Sequence, residues 1–158
     1  MKKFFYLLLC LFVPLASVAK DDELRYDLES AGVSASGMTL VKVSVYVSKP
    51  NKATDELIKK AAVHGIIFRG VSESDVTGYS KQKALASQSA AQQYGDFFEA
   101  FFSEGGGYIS YATIVESTTQ TVKVGKEYKV TNIVNVATDN LKRSLKDAGV
   151  IRGMTDGF

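Results

Sequence analysis

The chain has 158 residues, of which 46% are hydrophobic, 23% charged and 11% aromatic. That balance excludes a collagen-like, low-complexity or largely disordered polypeptide, and the length points to one domain. Against 17 acidic side chains stand 19 basic ones. The excess is Lys2 and Lys3, so the chain beyond its N-terminal segment is neutral overall and lacks the concentrated positive charge that nucleic-acid binding requires.

Residues 1–19 read as a secretory signal peptide. Lys2 and Lys3 form the positive start, an apolar run extends from Phe4 to Ala16, and Ser17-Val18-Ala19 supplies small residues for cleavage. The run is too short for the ~20 residues of a membrane span and contains Pro14. Cys10 lies inside the apolar run behind three leucines, which is the wrong context for a lipid anchor. It is the single cysteine, so the chain can form no internal disulfide. Stability must then come from a hydrophobic core, which residues 20–151 are long enough to build as one domain. Residues 152–158 read as a tail.

Arg25 to Ser30 and Val41 to Val47 read as neighbouring strands, the second with valines alternating with Lys42, Ser44 and Tyr46. Gly32 to Gly37 carry the turn, and Pro50 ends the second strand. A helix is expected from Thr54 to His64, with Thr54 as N-cap, Asp55 and Glu56 at its positive end and Gly65 just past its close. Ile66-Ile67-Phe68-Arg69 reads as a short buried strand. Residues 71–88 are polar and read as a long surface loop, a type of segment that is often functional. From Ser87 to Ser103, Ala90, Ala91, Tyr94, Phe97, Phe98, Phe101 and Phe102 recur at helical spacing, ended by Gly105-Gly106-Gly107. This stripe is expected to pack across the sheet, with at least three of its four phenylalanines buried. Tyr108 to Val124 and Glu127 to Ala137 form a closing hairpin around Gly125-Lys126, of type II′. A last helix spans Asp139 to Ala148, with Leu141, Leu145 and Ala148 inward and Gly149 at its C′ position. The order ββαβ, loop, αββα predicts an α+β two-layer sandwich: a mostly antiparallel sheet with helices on one face.

The usual chemistries find little here. His64 is the only histidine, so a histidine-rich zinc site and a serine triad with its nucleophile elbow are both unsupported. It reads as a helix-terminal residue favoured by the dipole. Ser80-x-x-Lys83 matches the signature of penicillin-recognising enzymes, but its companion motifs stand in the wrong order and serine and lysine are frequent enough to produce it by chance. Gly105-Gly106-Gly107 follows a helix, the reverse of a phosphate cradle. Asp96 and Glu99 share one polar helix face with Glu104 just beyond, whereas glycosidase carboxylates face each other across a cleft.

Phe68-Arg69-Gly70, then Phe97-Phe98-x-x-Phe101-Phe102 and the Gly107-Tyr108 step, resemble small exported bacterial proteins of unassigned function. The similarity spans about residues 40–150. It implies an envelope or secreted protein and carries over no catalytic residue.

The expectation is therefore an exported, periplasmic or secreted, non-catalytic binding or assembly module, with a protein or other envelope component as partner. It includes no cofactor, no metal, no nucleic acid and no transmembrane helix after cleavage. The alternatives are a secreted interaction or inhibitor domain, and a small carboxylate-dependent hydrolase. The candidate partner-binding residues are Arg69, set conspicuously in an apolar stretch, and Tyr79, Lys81 and Lys83 in the polar loop.

Overall fold

The computed structural model describes residues 24–32, 34–73 and 81–152. The expected signal segment with Cys10, the candidate Tyr79 and the expected tail after Arg152 lie outside these residues. The architecture is α+β, a five-stranded antiparallel sheet with helices on its apolar face.

Strands β1 (Tyr26–Gly32), β2 (Thr39–Val47) and β5 (Glu127–Val136) form the body of the sheet. β2 and β5 pair without a break from Thr39↔Val136 to Val47↔Tyr128. That register puts Val41, Val43, Val45, Val130, Val134 and Val136 on one face, all buried. The alternation of the sequence is that half-buried face. The other face is polar. Lys42 pairs with Glu29 and Lys129 with Asp27, Arg25 reaches Glu127, and Tyr46 donates to the Asp27 carboxylate at 2.6 Å.

One broken strand closes the far side of β5. Both β3 (Ala112–Ile114) and β4 (Gln120–Val124) pair with it, and between them residues 115–119 face only Asn132 and Ile133. The expected long strand from Tyr108 is thus interrupted, and its start, Gly107–Tyr111, is a 3-10 turn instead. The hairpin around Gly125-Lys126 has positive φ at Gly125 alone, as a type II′ turn requires.

The helical layer departs from expectation in several places. Helix α1 (Asp55–Phe68) does not stop at Gly65. Thr54 caps its start, accepting from Leu57 N at 3.2 Å. Gly65 lies inside the helix because it touches β1: a Cβ there would sit 2.7 Å from Leu28 Cδ2. Ile66-Ile67-Phe68 is consequently the last helical turn and not a strand. The stop is Gly70, at φ +77°, where a Cβ would meet the Gln82 carbonyl oxygen at 2.3 Å. The free carbonyls of Ile66 and Ile67 accept from Leu85 and Ala86 N–H groups, which completes the end of the helix.

The aromatic segment is two short helices, α2 (Gln88–Gln93) and α3 (Gly95–Phe101), broken at Tyr94. It packs on the back of α1 rather than across the sheet: Phe98 meets Phe68 at 4.8 Å between ring centres, and Phe102 meets His64 at 5.5 Å. Phe98 and Phe101 are buried while Phe97 and Phe102 are half-buried, so two of the four are fully inside and not three. Covered by the sheet on one side and rings on the other, α1 is buried in its second half except at the half-buried His64. Helix α4 (Thr138–Asp147) buries Leu141 and Leu145. Ala148, expected inward, is exposed. Gly149 turns the chain (Val150 N to Leu145 O 2.9 Å, Gly149 N to Lys146 O 2.8 Å), and Val150 enters the core in its place. Among the described residues no helix is long and apolar enough to cross a membrane.

Candidate functional site

The described parts of the expected 71–88 loop are tied to the edge of β1, to each other and to the end of α1. Ser72 lies beside Glu29 in a parallel bridge at the edge of β1, and Val71 pairs antiparallel with Gln82. Gln82 exchanges both backbone bonds with Val71, at 2.8 and 3.0 Å. Its side chain is held too: Thr138 Oγ1 donates to Thr39 Oγ1 (2.6 Å), which donates to Gln82 Oε1 (3.3 Å). With Gln82 pinned, its neighbours Lys81 and Lys83 are exposed on the outer edge, as alternation along an extended segment demands. Neither forms an ion pair among the described residues.

Arg69 joins them through the close approach of Gly70 to Gln82. Its guanidinium lies 4.2 Å from the centre of the Tyr26 ring and donates to the Tyr26 carbonyl at 3.0 Å. It therefore joins the end of α1 to the start of β1 while remaining exposed. The structure brings three of the predicted site residues to one sheet edge, and the fourth, Tyr79, lies outside the described residues.

Beneath Arg69 lies the one histidine. His64 is inside α1, half-buried, and its Nδ1 is 2.7 Å from the Tyr26 hydroxyl. The expected terminal position, with a dipole favouring the cation, is not what occurs. Burial pushes the imidazole down to about 4, and the Arg69 and Lys60 cations push the same way. Burial raises the Tyr26 phenol to about 12, and Arg69 draws it partly back. At neutral pH both groups are uncharged, and no carboxylate hydrogen-bonds to either among the described residues. The pair supports the ring on which Arg69 rests.

A second cationic region escaped the sequence reading. Lys49, Lys123 and Lys126, together with Ser48, Pro50, Asn51, Gly125 and Tyr128, line a groove of about 710 Å³ at the opposite end of β2. The signal available in the sequence was lysine beside a turn-forming proline and glycine at two distant points. Their proximity comes only from the Val47↔Tyr128 pairing. Among the described residues no group of three or more His, Cys, Asp or Glu side chains is placed to hold a metal ion. Compared with known protein families, curated proteins and solved structures, the chain matches none.

Proposed function

We propose that this is an exported bacterial protein that acts by binding and not by catalysis, engaging a protein or another envelope component through the edge formed by Arg69, Lys81 and Lys83. The observation that carries this reading is the anchoring of Gln82. A segment fixed by two backbone bonds and a hydroxyl chain holds its flanking lysines in a defined place, which a solvated loop does not need. With the backbone already fixed, only the lysine side chains have freedom to lose when a partner settles on this edge. An acidic or carboxylate-bearing partner surface is its natural complement.

The test leaves Arg69 alone, because that side chain also holds the fold together. K81E/K83E should melt at the parental temperature, since both positions are exposed. Crosslinking in the native host should then lose the adduct that the parent forms. An unchanged crosslinking pattern overturns the proposal.

A further inference from the structure

We infer that the groove between the β2–α1 connection and the β4–β5 hairpin is a second, separate binding site, for an oligoanion carrying several phosphoryl groups. Three lysines line it, Lys49, Lys123 and Lys126, and among the described residues no acidic residue does. Among the described residues none of the three makes an ion pair, as is also true of Lys81 and Lys83, whereas Lys42, Lys129 and Lys142 each have an acidic partner. Lys123 instead lies 6.0 Å from the centre of the Tyr128 ring. Since the chain beyond its N-terminal segment is neutral overall, this unpaired positive cluster is a local feature and not a reflection of bulk charge.

The backbone holds the cluster in place from two sides. Pro50 opens a single 3-10 turn, closed by bonds from Lys52 N to Lys49 O (3.0 Å) and Ala53 N to Pro50 O (3.1 Å). Lys123 and Lys126 flank the tight turn at Gly125, whose φ is +62°. Tyr128 is the cross-strand partner of both Val47 and Lys123, which fixes the separation of the two walls.

The chemistry selects phosphoryl groups. Lysine is a compact, strongly hydrated point charge that binds phosphate without a fixed planar geometry, and three of them lining one groove match the charge density of linked phosphoryl groups better than that of a single carboxylate. Ser48 and Asn51 add neutral hydrogen-bond donors for the remaining oxygens. Several lysines along an open groove favour a chain of phosphates, or a polyphosphorylated headgroup, over a single ion.

The probes are inorganic tripolyphosphate, as a soluble oligoanion, and vesicles of neutral lipid with or without a polyphosphorylated anionic lipid. The full chain as its host produces it is titrated with each, beside K49Q/K123Q/K126Q and the control R143Q/K146Q on α4, which removes exposed cations outside both proposed sites. All five positions are exposed, so both variants should melt as the parent does. The expected result is salt-sensitive binding that the groove variant weakens by about tenfold or more and the control leaves unchanged. Binding of tripolyphosphate identifies a soluble source, and binding of the anionic vesicles alone identifies a lipid headgroup. Absence of binding to either probe overturns the inference. So does a groove variant that binds as tightly as the parent, or equal losses in both variants, which would reveal a non-specific charge effect.

Discussion

At the scale of single residues, the position of His64 has a measurable consequence. Its imidazole titrates at about 4 in the fold against 6.5 in an open chain. Between those values the unfolded state holds a proton that the folded state refuses. Stability from this group is therefore complete above pH 6.5, falls as pH drops toward 4, and changes no further below that. Water reaches the half-buried ring and screens the penalty, so the loss is about 1–2 kcal/mol. His64→Gln keeps a polar partner for Tyr26 without a titrating group. The parent should lose that amount relative to H64Q between pH 6.5 and 4 in urea titrations, the carboxylates common to both proteins cancelling. Parallel curves across the window would show that the histidine is not held neutral. Asn132 poses a different question at this scale. It is buried among Val43, Val130 and Val134; its Oδ1 accepts from Thr119 Oγ1 at 2.6 Å, and its Nδ2 has no partner among the described residues. An unsatisfied buried amide donor costs about 1–3 kcal/mol. Asn132→Val should accordingly stabilise the protein, because Thr119 is exposed and can turn its hydroxyl to solvent. A lower melting temperature for N132V would refute that assignment of cost.

Elements differ in how far the sequence specifies them. The alternation of β2 was legible because a sheet with one dry face writes its burial into every second residue. The end of α1 was not. Ile66, Ile67 and Phe68 are all buried because rings from α3 cover the side of the helix that the sheet does not, and a run apolar on every side has no period to read. Gly65 looked like a stop for the same reason that it is none: a missing side chain can end a helix or let it press on a strand, and only the Leu28 contact decides. The candidate edge was half legible, since Arg69, Lys81 and Lys83 stood out as cations but their meeting depends on the Val71–Gln82 bridge. The aromatic helix is where packing energy concentrates. The Phe101 ring lies within 6 Å, centre to centre, of Phe97 (5.7 Å), Phe102 (5.0 Å) and Tyr111 (5.9 Å), and only 8% of the residue is exposed. Phe101→Ala should cost about 3–5 kcal/mol in chemical denaturation, and the half-buried Phe97→Ala less. Equal, small losses for both would mean that α3 docks loosely and that its rings serve a partner.

Over the whole molecule, the two cationic regions lie at opposite ends of β2, and the sheet between them is its most continuous part. Thr39, which helps anchor Gln82, and Val47, which pairs with Tyr128 at the groove, are the first and last residues of the unbroken β2–β5 ladder. Stability should follow the same layout. That ladder is the centre of the sheet, flanked by β1 on one side and by β3 and β4 on the other, and its inner face is covered by α1, with Val41, Val43, Val134 and Val136 inaccessible to water. β4 is the opposite case: all five of its residues are exposed, it is paired only with β5, and Val122 and Val124 are 58% and 49% accessible. Local opening of such a strand exposes almost no new apolar surface, so it needs far less free energy than opening the ladder. Native-state hydrogen exchange should rank amides of β2, β5 residues 130–136 and α1 as slowest, exchanging only through global unfolding. Those of β4 that bond to β5 should exchange orders of magnitude faster. The groove at the hairpin end would then have one rigid wall, built on the β2–α1 connection, and one wall that opens locally. Protection of β4 equal to that of β2 would contradict this gradient and make the sheet a single cooperative unit out to its edge.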